Sequence, residues 1–190
     1  MFDFVLGLPM HALVIHAVVV LVPLSALCTV AYVARPSWRA VLVWPTAAGA
    51  LISGISAFVA AESGEKLLVR VSTTRASTTN FELLANHTMW GDRAKVVCLV
   101  FMVLALAAAF LMSPPLAGPG RPRSKSATAR RGSVPSRAAR WRAVALQPAV
   151  QAPLVQTTLG VVVVVVSLAA LVVVALAGHA GAQVVWDGLG

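Results

Sequence analysis

Four long apolar runs divide the sequence, at about residues 11–34, 41–61, 95–112 and 153–178. A helix needs about 20 predominantly apolar residues to cross the hydrocarbon core of a bilayer. The only charged side chain within these runs is Lys95, at the start of the third. The pattern predicts an all-α fold, an integral membrane four-helix bundle that forms a single transmembrane domain over residues 1–190.

Local sequence refines two of these helices. Residues 81–93 contain no Pro and one Gly, so the third helix is free to begin before Lys95. The valine run 161–166 would indicate a strand in water, but a bilayer favours a helix because the backbone must satisfy its own hydrogen bonds. No Lys or Arg precedes Arg35, and the first run exceeds the 7–15 residues of a signal-peptide core, so we expect a retained span.

The composition and the charge distribution support this topology. The chain is 59% hydrophobic and 11% charged, whereas soluble domains carry roughly 25% charged residues. The connections at residues 35–40 and 113–152 hold ten of the fifteen Lys and Arg residues and no acidic residue. The positive-inside rule therefore predicts that both connections are cytoplasmic and that the N-terminus and the C-terminus are both extracytoplasmic.

The connection between the third and fourth runs is long and basic. Residues 114–146 contain eight basic residues together with several Pro, Gly and Ser residues, which predicts a disordered cytoplasmic loop. Its arginines are candidate contacts for anionic lipid or a partner: Arg130, Arg131, Arg137, Arg140 and Arg142. The alternative is a solvated segment that serves only to fix the topology. We expect no nucleic-acid partner, because no pattern of stacking aromatic residues accompanies these charges.

The four histidines are the most informative polar residues. The predicted topology brings His11, His16, His87 and His179 toward the extracytoplasmic side. Imidazole binds haem iron, copper and zinc, and two histidines on different helices can hold a b-type haem from both faces. For any one of these histidines, the alternative is an interfacial side chain that bonds to backbone.

His16 and His179 are the pair that we expect to bind haem or a metal ion, since each lies near the boundary between hydrocarbon and headgroups. His11 is five residues from His16, about 140° around the helix, so the two cannot both point at one centre without a local distortion of the helix. The alternative is that one of them binds the metal while the other binds a haem propionate, a quinol hydroxyl or a neighbour of the first ligand. Glu62 and Glu65 are alternative metal ligands on one helical face, or simply an acidic helix end in water.

Several of these residues also occur in a pattern. Gly7, His11 and His16, the step from His87 to Gly91, and above all the closing segment 178–186, which reads GHAGAQVVW, resemble the bacterial membrane family called domain of unknown function 2231. Ala12 stands where members of that family usually have Pro. The resemblance implies a four-helix domain of the bacterial plasma (inner) membrane whose histidines cluster on one side, and it carries over the four histidines as candidate ligands. Related proteins carry this domain fused to Rieske-type or cytochrome-like modules, which implies electron transfer.

Two functional hypotheses follow. The first is a bundle that binds haem b or a metal and transfers electrons near the outer face, with a quinol or a redox protein as partner. The second is a cofactor-free accessory or assembly subunit of a larger membrane (respiratory) complex. No catalytic residue is predicted, and a stand-alone enzyme is the less expected outcome. A transporter is disfavoured because no charged group lies at mid-membrane to bind a polar substrate.

Overall fold

The computed structural model describes residues 4–5, 7–74, 80–112 and 153–186. In these residues the chain forms four long helices, α1 (Met10–Ala34), α2 (Arg39–Thr74), α3 (Phe81–Leu111) and α4 (Pro153–Trp186). All four are long and apolar enough to cross a membrane. The predicted all-α four-helix membrane bundle is confirmed. The basic loop 114–146, with its five candidate contact arginines, lies outside the described residues.

Short elements lead into the first two helices. Two antiparallel strands of two residues, β1 (Phe4–Val5) and β2 (Leu8–Pro9), precede α1. Gly7 stands in the turn between them with a φ of 80°, a backbone conformation that glycine adopts without steric cost. A 3₁₀ turn over Pro36–Trp38 joins α1 to α2 and reverses the chain direction.

Three of the four helices extend well beyond the apolar runs. Helix α2 continues to Thr74, α3 begins at Phe81, and α4 continues to Trp186. Hydropathy detects only the part of a helix that lies in hydrocarbon, whereas the helix itself continues until a cap or a breaker ends it. At the start of α3 that cap is Asn80, whose side chain accepts hydrogen bonds from the backbone N–H groups of Glu82 and Leu83. His87 therefore lies well inside α3.

The four helices form a ring in which each packs against its two neighbours in chain order, with α4 returning against α1. Small residues allow close approach, which is how membrane helices associate in the absence of a hydrophobic driving force between them. A Cβ added at Gly49 would lie 2.6 Å from Ser25 Oγ, and one at Gly54 would lie 2.6 Å from Met102 Sδ. Ser25 and Ser53 also share a buried hydrogen bond of 3.0 Å between α1 and α2.

The outer surface of the ring is apolar. Large side chains such as Val20, Phe110 and Val165 are more than half exposed in the isolated chain. Soluble monomers rarely expose apolar surface on this scale, so this surface fits lipid contact. The interior is filled instead by buried residues such as Val22 and Phe101.

One arginine ties three helices together at the end of the bundle that contains the turn between α1 and α2, here called the inner end. The Arg39 guanidinium donates to the carbonyl oxygens of Tyr32 (3.3 Å) and Val33 (3.5 Å), in the last turn of α1, and to that of Met112 (3.4 Å), just after α3. It also lies over the Tyr32 ring, 5.7 Å from its centroid. Arg39 thus satisfies helix C-terminal carbonyls that would otherwise lack a donor.

Candidate functional site

His11 and His87 meet at the opposite, outer end of the bundle. They lie on α1 and α3, which are diagonal to each other in the ring. Their ring centroids are 6.1 Å apart and the ring planes make an angle of 74°. Both side chains are partly buried. The structure therefore brings together two imidazoles at the outer end, close to the axis of the bundle. One comes from the helix pair α1–α2 and the other from the helix pair α3–α4.

A backbone carbonyl of a neighbouring helix holds each ring. His11 Nδ1 lies 2.7 Å from the carbonyl oxygen of Ala60 on α2, and His87 Nδ1 lies 3.1 Å from that of Ala177 on α4. A carbonyl can only accept, so in each neutral ring Nδ1 carries the proton and Nε2 keeps its lone pair. This is the arrangement that orients histidine ligands in metal sites.

A glycine makes room for each ring. A Cβ added at Gly64 would lie 2.8 Å from His11 Cε1, and one at Gly181 would lie 2.9 Å from His87 Cε1. Gly64 stands four residues after Ala60, just as Gly181 stands four residues after Ala177. One turn of helix thus supplies both the carbonyl that binds the ring and the space that admits it, and this unit occurs twice in the chain.

His16 and His179 lie elsewhere. Both side chains are exposed, and His16 Nδ1 bonds 2.6 Å away to the carbonyl oxygen of Ala12 on its own helix. Within the described ranges no ring contact or hydrogen bond joins His16 to His179, so the ring contact at the centre is not the pairing expected from the sequence. The helical period places His11 and His16 on different faces of α1, which explains why the first points inward and the second outward.

Glu62 and Glu65 lie in an ion-pair cluster on the side of the bundle where α2 packs against α3. Lys95 Nζ lies 3.5 Å from a carboxylate oxygen of each, and 3.8 Å from Asp92 Oδ1. The Lys95 side chain is 21% exposed. The two glutamates therefore bind an ammonium group here, rather than approaching the histidine pair as ligands.

Of the described His, Cys, Asp and Glu side chains, only the two imidazoles meet at the His11–His87 contact. Among the side chains that the structure describes, no group of three or more His, Cys, Asp or Glu residues converges on a point that could hold a metal ion. A metal ion at this site would have two protein nitrogens as ligands and would need further ligands from another molecule, as haem iron has from the four porphyrin nitrogens.

A match to a known family covers nearly the whole chain. The family described as predicted membrane protein (DUF2231) matches residues 7–189, and the chain belongs to this family. The resemblance inferred from the motif around His179 is confirmed. No curated protein matches the chain, and no solved structure matches it.

Proposed function

We propose that His11 and His87 form a two-histidine centre that binds a redox-active metal, either as haem b or as a bare ion. The protein would then transfer electrons at the outer end of the bundle, in a bacterial inner membrane. The observation that carries the proposal is the pair itself, two imidazoles on diagonal helices with both Nδ1 atoms bound to carbonyls and both Nε2 lone pairs available.

The dimensions of the pair are compatible with shared coordination. Metal–imidazole bonds are about 2.0–2.1 Å long, so two nitrogens on opposite sides of one metal are about 4 Å apart. Ring centroids at 6.1 Å leave room for that separation. A bound iron or copper would supply a one-electron carrier, while the chain supplies the two ligands and fixes their orientation through Ala60 and Ala177.

The position of the pair also suits electron transfer. The pair lies at the end of the bundle opposite Arg39. The charge distribution predicts that this end is extracytoplasmic. A quinol in the outer leaflet or a redox protein at the membrane surface would approach at this end. The lipid bilayer is the environment that the four spans require, and the quinol and the redox protein belong to the proposal.

The test is an oxidised and a reduced visible spectrum, with metal analysis after a chelator wash, of protein purified in mild detergent from haem-replete cells. A six-coordinate haem spectrum identifies haem b, and retained iron or copper without that spectrum identifies a bare ion. His11→Ala and His87→Ala are expected to lose the bound group. His16→Ala and His179→Ala serve as matched controls and are expected to keep it.

Two results would contradict the proposal. Loss of the group in the His16 and His179 variants, with retention in the His11 and His87 variants, would restore the pairing expected from the sequence. A colourless protein that retains no metal after the wash would instead favour the accessory-subunit hypothesis, and copurifying membrane proteins would then identify the complex.

A further inference from the structure

The inner end of the bundle carries positive charge that no described carboxylate balances. Arg35 follows α1, and Arg39 begins α2. Of the described acidic residues, Asp92 stands nearest to this end, 19 residues before Leu111 on α3. A helix rises about 1.5 Å per residue, so Asp92 lies roughly 28 Å away along α3. Salt screens an attraction over that distance, because the Debye length is about 8 Å at physiological ionic strength.

Arg39 keeps its charge although its guanidinium is bound. Its partners are the carbonyl oxygens of Tyr32, Val33 and Met112 and the face of the Tyr32 ring. All of these are neutral groups, so they hold the side chain in place without cancelling its charge. The partial negative charges at the C-terminal ends of α1 and α3 are offset by the partial positive charges at the N-terminal ends of α2 and α4. Arg39 is therefore a fixed positive charge beside the end of α1.

Arg35 is exposed and is oriented by a tryptophan. Its guanidinium carbon lies over the Trp38 ring, 5.5 Å from the centroid, which is a cation–π contact. Within the part of the chain that the structure describes, no group accepts a hydrogen bond from this guanidinium. A guanidinium has five N–H donors, and stacking on a ring face uses none of them. Arg35 thus presents free donors to the surroundings of the bundle.

Arg35 and Trp38 lie at the height of the lipid headgroups. No charged residue occurs between Asp3 and Arg35, and charged side chains are costly in hydrocarbon, so the hydrocarbon boundary at this end falls close to Arg35. Trp38 and Trp44 are 52% and 74% exposed, and tryptophan is enriched at that boundary. Lipid phosphates lie just outside the boundary and acyl chains just inside it.

We propose that Arg35 and Trp38 bind the phosphate group of an anionic phospholipid, such as phosphatidylglycerol, in the leaflet at the inner end of the bundle. The planar guanidinium donates to two phosphate oxygens, Trp38 holds it in place, and Trp44 contacts an acyl chain. The fixed charge of Arg39 favours a lipid with net negative charge over zwitterionic phosphatidylcholine, whose cationic group it repels. The site is independent of the His11–His87 centre and of the basic loop 114–146.

Quenching of tryptophan fluorescence by brominated phospholipids tests the site in bilayers, because bromine on an acyl chain quenches only the indoles close to it. The parent protein for the assay keeps Trp38 and Trp44 and has Phe at the other three tryptophans. In mixtures of the two lipids, brominated phosphatidylglycerol should quench more strongly than brominated phosphatidylcholine at the same mole fraction. Arg35→Gln should reduce this preference about fivefold, the contribution of one basic residue near an anionic surface. Arg35→Lys, which keeps the charge, should retain it.

Arg93→Gln is the matched control. The Arg93 guanidinium also stacks on a tryptophan, 4.6 Å from the centroid of the Trp90 ring, but toward the outer end, so its loss should leave the preference unchanged. Arg130→Gln combined with Arg131→Gln tests the basic loop and should also leave it unchanged. Each variant is first checked for retained helicity by circular dichroism.

A further measurement needs no change at Arg35. High salt should weaken the preference for phosphatidylglycerol in the parent protein, because salt screens the attraction between exposed charges. The proposal is overturned if the two lipids quench equally, if the preference is insensitive to salt, or if Arg35→Gln retains the preference. It is also overturned if the loop variant loses as much of the preference as Arg35→Gln, since the lipid would then bind the loop.

Discussion

The sharpest prediction concerns Gly181, whose missing side chain admits the His87 ring. In Gly181→Ala the new Cβ would lie 2.9 Å from Cε1 and 3.2 Å from Nδ1 of His87. Carbon atoms pack best at about 3.5–4.0 Å, so the ring must retreat by about 0.6–1 Å. His87 Nδ1 is now 3.1 Å from the Ala177 carbonyl oxygen, and this shift would take the pair beyond hydrogen-bond distance.

The expected cost has two parts. Losing the hydrogen bond costs about 0.5–1.5 kcal/mol, and the overpacking adds about 1–3 kcal/mol. The higher helix propensity of Ala offsets about 1 kcal/mol of this. We therefore expect a net loss of about 0.5–3.5 kcal/mol in the free energy of unfolding. The bound group should be weaker by about 10- to 100-fold, the usual effect of losing a contact that orients a ligand.

Gly178→Ala is the matched control, because it lies on the same helix, one turn earlier, and its added Cβ meets nothing within 4 Å. The assay is unfolding of both variants in detergent, together with the absorbance of the bound group or its metal content. Gly178→Ala should behave like wild type or be slightly more stable. If Gly181→Ala matches Gly178→Ala in both measurements, then the close contact with the His87 ring does not hold the ring in place.

Three further predictions concern other polar groups. Arg39→Ala should lower the free energy of unfolding by about 1–3 kcal/mol, because it leaves helix-end carbonyls without a donor. The measurement is unfolding in detergent, with the exposed Val41→Ala as control. Equal stability of the two variants would contradict the role of Arg39. Lys95→Val should leave three carboxylates without their cation and so lower the melting temperature. Mg²⁺ should raise the melting temperature of the variant but not of wild type. A variant whose melting temperature does not respond to Mg²⁺ would count against the cluster. Thr46→Val should be neutral or stabilising by up to about 1 kcal/mol, because the buried Thr46 hydroxyl has no partner among the described residues; a clear loss of stability would reveal a bond to it.

The sequence predicted the architecture because a helix that crosses a bilayer must be long and apolar, and hydropathy along the chain detects such segments directly. Each run of about 20 apolar residues had to become a helix, and the described helices cover all four runs to within one residue. What hydropathy did not supply was helix length. Residues 62–74 and 81–94 are too polar to be read as membrane-spanning, yet no breaker ends the helix there, so His87 occupies α3 at the level of His11.

The candidate site could be predicted only in part. The grouping of the histidines toward one end followed from topology, and the helical period separated His11 from His16. The choice of which histidines meet required the helix rotations, and these depend on where small residues allow close approach. The signal that was available is the repeated spacing of Ala60 with Gly64 and of Ala177 with Gly181, on the helices that follow His11 and His87.

Arg39 has a consequence for where polar contacts cross-link the bundle and where they do not. It fixes α1, α2 and α3 to one another at the inner end, and Gln156 adds α4 by donating to the Leu111 carbonyl. Toward the outer end, Lys95 cross-links α2 and α3, whereas the outer half of the α1–α4 seam carries no hydrogen bond or ion pair between the described residues of the two helices. Among the described residues, the outer half of the α1–α4 seam is therefore held by side-chain packing alone, and we expect it to separate more readily than the α2–α3 seam, which Lys95 cross-links.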